Sequence, residues 1–397
     1  MLDKPASDVD YQAAAISNFT ALVNLYSTND EQLSPVSFWK LGNTFDTMID
    51  FLDVINPNNA NGIVDMVVTQ LNASLKHIKG GYDGAWFDDF GWWSVATERA
   101  LNKPFFSASA RKQLQNVLHE CWPRFTNNAP FVWQRHDPTT FQNYGPVVDG
   151  GVWNAYWTGT PDKYLGPKNG DPSNGSLVGI QNTVTNTLYL MAAQRLGRTD
   201  PVARMAAEAE LSFLSTWLNE TSTPLWWTLS ANAGLVRERV GHFANVTPAL
   251  GFQEKWAWTG DQGLMLGSLS DAMQNAAPNQ RPALLARAQQ IVAGVRQNLV
   301  DSNGVVISYT PPNYSVTPPI IVPDGDTSDY QVGSGVFWRN YLYVWKTNSA
   351  LRSFLAGTAY QDMLRVSANA AMLSPDNPSL ETLANQTAVL IAATALL

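Results

Sequence analysis

The sequence has few charged residues and a single cysteine. Of its 397 residues, 15% are charged, below the usual fraction of about a quarter, so neutral polar side chains must cover much of the surface. Cys121 has no second cysteine to pair with, which excludes an internal disulfide and leaves packing to hold the fold together. With 45% hydrophobic residues, the chain is able to bury a substantial core.

Several functional classes lack the features that they need. The net charge is −8 and no cluster of Lys and Arg occurs, so we expect no nucleic acid or anionic membrane partner. No apolar run of about 18 residues is present, so we expect no membrane-spanning helix. His77, His119, His136 and His242 lack metal-binding spacing, and no nucleotide-binding glycine motif occurs. We therefore expect no metal and no cofactor, and we interpret the Asp-Gly-Asp at 324–326 as an ordinary turn.

The location of the protein is predicted from two observations. The first residues, Met-Leu-Asp-Lys-Pro, lack the apolar core of a signal peptide. Asn-X-Ser/Thr sequons occur at Asn18, Asn72, Asn174, Asn219, Asn245, Asn313 and Asn385. We expect a secreted, monomeric glycoprotein whose signal peptide is absent from this sequence. The alternative, that a chain rich in Asn, Ser and Thr carries these sequons by chance, stays open.

Apolar residues recur at helical spacing along most of the chain. In the first such segment, Ile16, Phe19, Leu22, Val23 and Tyr26 lie on one face of a helix. The pattern predicts helices at 9–26, 38–55, 62–77, 89–102, 108–119, 178–197, 201–218, 260–275, 282–299, 334–355, 360–373 and 380–396. Strand-like runs are few, at 304–309 and 319–323.

The loops between these helices suggest how the chain is organised. Long loops rich in Gly, Pro, Asn and aromatic residues interrupt the helices at 121–177, 220–258 and 301–333. Loops of this length in a compact domain are usually functional. We predict one all-α domain over residues 1–397, an (α/α)6 barrel of helix hairpins with a site built by the long loops at one end.

Tryptophan is abundant, with 15 residues that fall mostly in loops or at helix starts. A buried Trp needs a partner for its N–H, so each one is open to a purely structural interpretation. Beside so many Asn, Asp, Gln and Gly residues, however, the rings are typical of a sugar-binding wall. Sugar faces are apolar C–H surfaces, and their hydroxyl rims need neutral amides and carboxylates.

Two adjacent acids stand in one aromatic stretch, Trp86-Phe87-Asp88-Asp89-Phe90-Gly91-Trp92-Trp93. On a helix, successive side chains diverge by about 100°, so carboxyl groups on Cα atoms about 3.8 Å apart would stand about 5–6 Å apart. Retaining glycosidases need about 5–5.5 Å between nucleophile and acid/base, and inverting ones need about 6.5–9.5 Å. On a strand the two side chains would point to opposite faces. The pair therefore indicates a retaining glycosidase.

The aromatic neighbours suit this chemistry. They desolvate both carboxyl groups, and each acid opposes the ionisation of the other, so one of them should keep its proton longer. The ionised acid would attack the anomeric carbon, and the protonated one would donate to the leaving oxygen. A structural alternative stays open, because an Asp before a helix is a good N-cap and a second acid suits the helix dipole.

With these residues identified, the chain resembles glycoside hydrolase family 76, the α-1,6-mannanases with an (α/α)6 barrel. Trp86–Trp93 is similar to the family's Asp-Asp pair in an aromatic stretch that ends in Gly-Trp-Trp. Gly150–Trp153 resembles its Gly-Gly-(Ile/Val)-Trp loop, and Asn182–Asn186 its Asn-Ala-Ile-Ser-Asn helix start. Trp258–Gly263 and Gly335–Arg339 resemble its Trp-Thr-Tyr-Asn-Gln-Gly and Gly-Ile-Phe-Val-Arg segments. The matches occur in family order over some 250 residues.

The resemblance implies roles position by position. Asp88 would be the nucleophile and Asp89 the general acid/base, with retention of configuration. The implied substrate-binding residues are Trp39, Asn43, Trp92, Trp93, Trp153, Asn182, Asn186, Trp258, Asp261, Gln262 and Arg339. For the Asn, Asp and Gln residues at helix starts a capping role stays open, and for Arg339 an ion pair with a structural acid.

We therefore expect a retaining, endo-α-1,6-mannanase-like glycosidase whose partner is mannan or a mannooligosaccharide. One alternative is a cell-wall mannosyl transglycosylase of the same fold, and another is a noncatalytic glycan-binding protein. The chain departs from the family pattern at Phe90, Asn154, Gln181 and Gly260, positions expected to touch sugar outside the cleaved bond. Endo or exo action and the exact glycan therefore stay open.

Overall fold

The structure is a computed structural model that describes part of the chain, in separate ranges of residues. These are residues 10–28, 38–80, 86–128, 151–152, 155–157, 164–165, 178–217, 234–236, 239–241, 258–309, 328–373 and 377–397.

Helices account for most of the described chain. In chain order they are α1 (Tyr11–Thr28), α2 (Phe38–Val54), α3 (Ala60–Gly80), α4 (Phe87–Leu101), α5 (Ala108–Asn128), α6 (Thr183–Leu196), α7 (Pro201–Trp217), α8 (Thr259–Asn275), α9 (Arg281–Asn298), α10 (Gly333–Thr347), α11 (Ser349–Leu355), α12 (Thr358–Ala371) and α13 (Leu380–Leu396). A 3-10 helix, Ser328–Val332, leads directly into α10. Within the described ranges, no helix has both the length and the apolar character needed to cross a bilayer.

Six of these helices form a closed inner ring. Helix α2 contacts α4, α4 contacts α6, α6 contacts α8, α8 contacts α10, α10 contacts α13, and α13 returns to α2. The other helices pack outside: α3 and α5 on α2 and α4, α7 on α6, α9 on α8, α11 on α10, and α12 and α1 on α13. An inner ring of helices inside an outer layer is the (α/α)6 barrel, so the predicted fold class is confirmed.

The two layers differ in how much of each helix is buried. Every residue of α2 from Phe38 to Leu52 is buried, because its neighbours in the ring and the outer helices cover it on all sides. In the outer helix α12, only Met363, Leu364, Ser367, Ala368 and Ala371 are buried, which is one stripe at helical spacing. Inner helices therefore bury polar side chains as well as apolar ones, and those polar side chains form the interior of the barrel.

Local signals set several of the helix ends. The side chain of Asp200 accepts from the N–H of Val202 at 2.9 Å just as Pro201 opens α7. The predicted helix 334–355 is in fact two helices, because Asn348 ends α10 and then caps α11 by accepting from Leu351 N–H at 3.1 Å.

A small antiparallel sheet is the feature that helical periodicity missed. Its strands are β1 (Ala155–Trp157), β2 (Tyr164–Leu165), β3 (Val178–Asn182) and β4 (Arg239–Gly241), in the order β2-β1-β3-β4. The predicted helix 178–197 was wrong over 178–182, where the backbone pairs with β1 and β4. The predicted strand 304–309 makes only isolated bridges, Val300 to Val306 and Trp258 to Tyr309. The segment 319–323 lies outside the described residues.

Candidate active site

The inner helices run parallel, so the ring has two different ends. At one end, Lys40 in the first turn of α2 contacts Glu381 in the first turn of α13, with 3.0 Å between Nζ and Oε1. At the other, Arg99 near the end of α4 pairs with Asp50 near the end of α2. We call these the N-terminal end and the C-terminal end of the ring.

The acid pair lies at the N-terminal end. Helix α4 begins at Phe87, so Asp88 and Asp89 both occupy its first turn. Asp89 is 5% exposed, whereas Asp88 is half-buried. The Oδ2 atom of Asp89 accepts from the backbone N–H of Trp86 at 2.8 Å, which satisfies one of the N–H groups that a helix start leaves open. Neither acid precedes the helix as an N-cap: Trp86 holds that position, and Asp89 closes a capping box from the third residue of the helix.

Asp89 is also electrostatically distinct. Burial and the charge of Asp88 raise its pKa well above the ordinary value for Asp, and the hydrogen bond from Trp86 does not cancel them. The more distant carboxylate of Asp329 raises the pKa of Asp89 further. Asp89 therefore keeps its proton to a higher pH than an ordinary Asp, which is what a general acid needs.

Aromatic rings pack against the base of this turn. The ring of Phe38 lies 5.3 Å from that of Phe90 and 5.7 Å from that of Trp93. The indole N–H of Trp93 donates to the Phe38 carbonyl at 2.9 Å, and Trp93 is fully buried. Phe90 and Trp93 thus belong to the core that fixes the start of α4 against α2.

A second aromatic pair lies beside the first. The rings of Trp39 and Trp92 lie 5.5 Å apart, with the two residues 9% and 5% exposed. Both were predicted to bind substrate, and both lie at the N-terminal end of the ring, in the first two turns of α2 and α4.

The sequence did not single out Lys40, which lies next to this pair. Its Nζ is 5.9 Å from the centre of the Trp39 ring, 3.0 Å from Oε1 of Glu381 and 3.5 Å from Oδ1 of Asp329. Lys40 is 7% exposed, whereas the Asp329 side chain is 55% exposed. Lys40 and Glu381 are 341 residues apart in the chain, so no local pattern could have brought them together.

Asn182 and Asn186 join α6 to a loop. The Asn182 side chain caps α6 by accepting from Thr185 N–H at 2.9 Å. Asn186 is fully buried, and its Oδ1 accepts from Val152 N–H at 2.8 Å while its Nδ2 donates to the carbonyls of Val152 at 3.3 Å and Asn182 at 2.7 Å. These contacts hold the backbone of the loop that carries Trp153, instead of presenting the Asn186 amide to a sugar.

Gln262 makes the same arrangement one inner helix further along. It is fully buried in α8, its Oε1 accepts from Val236 N–H at 2.8 Å, and its Nε2 donates to the Val236 carbonyl at 2.8 Å and the Trp258 carbonyl at 3.0 Å. Asn186 and Gln262 thus each bind both backbone groups of one loop residue and the carbonyl four residues earlier. We call them the loop anchors. Asp261, beside Gln262, is also fully buried in the first turn of α8.

Trp258 packs tightly at the start of α8. It is 4% exposed, and its indole N–H donates to the Tyr330 carbonyl at 2.8 Å. A Cβ added at Gly260 would come within 2.4 Å of the Trp258 six-membered ring. The ring therefore fills the space that a side chain at 260 would need.

Arg339 of α10 and Asn43 of α2 are buried where these two inner helices meet. Arg339 is 2% exposed, and its guanidinium donates to Asp46 Oδ2 at 3.2 Å, to Thr47 Oγ1 at 3.1 Å and to the side-chain oxygen of Asn43. Burial acts to raise the pKa of Asp46, but Arg99 and Arg339 beside it hold that pKa below its ordinary value. The ion pair with a structural acid, which the sequence left open for Arg339, is what the structure shows.

Some sequence predictions fall outside the described residues. Trp153 and the acidic turn at 324–326 are among them. In the part of the chain that is described, no group of three or more His, Cys, Asp and Glu side chains is arranged to hold a metal ion.

Comparison with known proteins gives matches only among solved structures. No protein-family model matches the chain, and no curated protein sequence matches it. An inactive variant of the α-1,6-mannanase GH76A of Salegentibacter sp. HEL1_6 has two consecutive aspartates replaced by asparagine and α-1,6-mannotriose bound. It matches with a TM-score of 0.64 at 14% identity, over 98% of this chain and 100% of that one.

Two further structures extend this likeness. Dfg5 from Chaetomium thermophilum, in complex with glucosamine, matches with a TM-score of 0.64 at 15% identity, over 100% of this chain and 92% of that one. A family 76 α-mannanase from Bacteroides thetaiotaomicron matches with a TM-score of 0.54 at 11% identity, over 98% and 96%. The resemblance to glycoside hydrolase family 76 inferred from the motifs is thus confirmed at the level of the fold.

Proposed function

We propose that the protein is a retaining glycoside hydrolase that cleaves α-1,6-mannosidic linkages, with Asp88 as nucleophile and Asp89 as general acid/base. The proposal rests on the contrast between two neighbours in the first turn of α4. Asp88 is half-buried, whereas Asp89 is 5% exposed and has a raised pKa. Paired carboxyl groups whose environments separate their pKa values are the usual basis of acid and nucleophile roles in one site.

The reaction would proceed in two displacements. The Asp88 carboxylate attacks the anomeric carbon, and the glycosidic bond breaks as Asp89 gives its proton to the leaving oxygen. Asp89, now ionised, then takes a proton from water, whose oxygen attacks the same carbon and releases Asp88. Two inversions give net retention, and both acids return to their starting states.

The solved structures support the choice of substrate. The Salegentibacter mannanase holds α-1,6-mannotriose, and replacing two consecutive aspartates gave an inactive variant of it. For this chain we propose that Trp39 and Trp92, at the starts of inner helices, contact the glycan together with Trp153, which follows Val152 in the sequence. Asn182, whose side chain caps α6, and the fully buried Asp261 would support this surface from beneath. Asn186, Gln262 and Arg339 would act by fixing that surface, since protein groups occupy their polar atoms.

Transfer of the mannosyl group to a second sugar is the alternative with a specific observation behind it. The Dfg5 structure, which holds glucosamine, matches this chain as well as the mannanase does. The same covalent intermediate on Asp88 would serve, with a sugar hydroxyl in place of water in the second step. A third possibility, binding of glycan without turnover, needs neither acid.

The test is to replace the two acids separately and assay α-1,6-mannooligosaccharides. We expect Asp89→Asn to lower kcat by about 10² to 10⁴-fold, the usual contribution of general acid–base catalysis. Asp88→Asn should lose activity at least as severely because no covalent intermediate forms, and azide should restore some turnover. Asp362→Asn, an exposed acid on the outer helix α12, is the matched control and should be unaffected.

The products decide between the alternatives. Shorter mannooligosaccharides with retained anomeric configuration support hydrolysis, whereas lengthened or cross-linked products in the presence of acceptor sugar support transfer. Binding by the native protein without any product supports the noncatalytic alternative. Full activity in either Asp88→Asn or Asp89→Asn would overturn the assignment of roles.

A further inference from the structure

A cavity opens at the C-terminal end of the ring, on the far side of the barrel from the acid pair. Its volume is about 390 Å³, and the last turns of α2, α4, α6, α8 and α10 surround it. Five basic side chains line it against three acidic ones, and the basic residues are Arg99, Lys103, Arg195, Arg198 and Lys346. A basic cavity is unexpected in a chain whose net charge is −8.

Among the described residues that line this cavity, Arg195 and Asp50 have buried polar side-chain atoms without a hydrogen-bond partner, and Asp50 lacks one only at Oδ2. Arg195 is 4% exposed, its Nε donates to Asp271 Oδ2 at 2.9 Å, and its guanidinium lies 4.8 Å from the Tyr343 ring. Its Nη1 and Nη2 atoms are buried without a hydrogen-bond partner among the described residues. Leaving buried guanidinium N–H groups unsatisfied is costly, so the arrangement implies an acceptor that the chain does not supply.

Of the other basic residues, Arg99 contacts two acids, Asp46 and Asp50, so any excess of positive charge comes from the two lysines and Arg198. Asp53 is shared by two lysines, Lys103 at 2.8 Å and Lys346. Arg198 forms no ion pair within the described ranges. Burial raises the pKa of Glu98, so this lining acid offsets the positive charge less readily than an ordinary Glu. Cations near helix C-termini are favoured by the helix dipoles, which accounts for their presence but not for the two unsatisfied donors of Arg195.

We propose that this cavity is an oxyanion site that takes a phosphate group, bound by Arg195 and Arg198 with Lys103 and Lys346 around it. The planar donors of Arg match two phosphate oxygens at once, and the Lys ammonium groups add charge without fixed geometry. A volume of about 390 Å³ is within the usual range of small-molecule sites and exceeds the space that one phosphate needs. Free phosphate and the phosphate ester of a small sugar share the chemistry required.

Calorimetric titration of the full chain at constant ionic strength tests the proposal, with inorganic phosphate, mannose 6-phosphate and neutral mannose as probes. Arg198→Gln is the main variant, because Arg198 is exposed and lies far from the acid pair. Arg365→Gln is the matched control: it removes the same charge from an outer helix, where Arg365 is 51% exposed and does not line the cavity. Arg195→Lys, with folding checked by circular dichroism, tests the buried donor directly.

We expect one saturable phosphate site in the native protein and in Arg365→Gln. Binding should weaken by about tenfold or more in Arg198→Gln, the loss expected for one charge-assisted hydrogen bond. Tighter binding of the ester than of inorganic phosphate would identify a phosphorylated sugar as the ligand, and equal binding would identify free phosphate. No saturable binding, equal weakening in Arg365→Gln, or equally tight binding of mannose at this site would overturn the proposal. None of these results depends on catalysis by Asp88 and Asp89.

Discussion

The two ends of the inner ring differ in how they hold buried acids, although Lys40 and Glu381 form an ion pair at the N-terminal end. At the C-terminal end, acids and bases are in contact: Arg99 with Asp50, and Arg195 with Asp271. At the N-terminal end, two acids adjoin each other, and burial with mutual repulsion raises the pKa of Asp89. Acids at helix starts and bases at helix ends both suit the helix dipoles, so the ring as a whole is electrostatically consistent.

This difference between the two ends indicates which buried charges stabilise the fold and which are suited to proton transfer. Paired charges at the C-terminal end, and between Arg339 and Asp46, hold the ring together, and removing one partner leaves the other buried and uncompensated. An acid at the N-terminal end is kept in an unfavourable state that is useful for proton transfer. The same kind of substitution should therefore change stability in opposite directions at the two ends.

The largest effect should come from the C-terminal end of the ring. Arg99→Leu leaves both Asp46 and Asp50 without their shared guanidinium, and we expect the free energy of unfolding to fall by about 3–5 kcal/mol, the usual cost of breaking a buried pair. Urea unfolding at neutral pH measures it. Arg365→Leu, which breaks a pair whose members are 51% and 52% exposed, should cost no more than about 1 kcal/mol. Similar losses of unfolding free energy in Arg99→Leu and Arg365→Leu would show that the buried charge pairs are no more important for stability than an exposed pair.

The loop anchors should give the next largest effect. Asn186→Leu leaves the backbone N–H and carbonyl of Val152 without their partners, which should lower the free energy of unfolding by about 1–3 kcal/mol. Activity should fall as well, because the loop carrying Trp153 loses its attachment. Gln113→Leu on the outer helix α5 removes an exposed hydrogen bond to Asp65 and is the control. If thermal unfolding of Asn186→Leu and the control shifts equally, the anchor role is wrong.

Asp89→Asn should stabilise the protein at neutral pH although it lowers activity. The folded-state pKa of Asp89 is raised, so above the unfolded pKa of about 3.9 the folded state binds more protons, and stability falls as pH rises. Asparagine removes this loss and is still able to accept from Trp86 N–H. The gain over the native protein should therefore disappear below about pH 4, where both forms are uncharged. Thermal unfolding across pH measures it, and a variant less stable than the native protein at neutral pH would contradict the assignment.

The smallest effect should appear at Asp329. Its negative charge contributes to the raised pKa of Asp89, so Asp329→Asn should move the alkaline limb of the pH–activity profile to lower pH with little change in maximal kcat. Because the Asp329 side chain is 55% exposed, salt should weaken the shift. Glu381→Gln, which removes the other acid at Lys40, is the comparison. An unchanged alkaline limb in Asp329→Asn would show that the charge of Asp329 does not affect the pKa of Asp89.

The helices were predictable because their apolar periodicity is a local pattern. The errors occur where tertiary contacts determine the secondary structure. Helix α13 has the predicted bounds, 380–396. Helix α5 was predicted to end at 119 but continues through Pro123 to Asn128. There Trp122 and Phe125 both pack on Tyr189 of α6, and this packing offsets the hydrogen bond that Pro123 removes.

Only part of the site was readable in the same way. Asp88 and Asp89 are neighbours in sequence, so their relation to one helix turn could be inferred directly. The contacts of Lys40 with Asp329 and Glu381 depend on ring closure. The amides of Asn186 and Gln262 could bind a sugar or a backbone equally well. Which of the two they bind depends on where the loop residues Val152 and Val236 lie, and the sequence does not show that.

Whether a sequon is accessible for glycosylation also depends on tertiary contacts that the sequence does not show. The Asn385 side chain accepts from Gly335 N–H at 2.9 Å and donates to the Gln331 carbonyl. A glycan on its nitrogen would break the second bond. The Asn18 nitrogen is buried in α1. Glycosylation therefore stays a prediction for the protein, but the geometry disfavours it at these two positions.

Helix α13 carries one more consequence. It is the last described helix, and it fills the gap between α10 and α2, while α1 packs on its outer side. During synthesis, a chain that has released every earlier helix still has an open ring with one flank of α2 uncovered. Joining segments more than 300 residues apart is slow because the connecting chain must lose conformational freedom first. A nascent molecule should therefore depend on chaperones until α13 has left the ribosome.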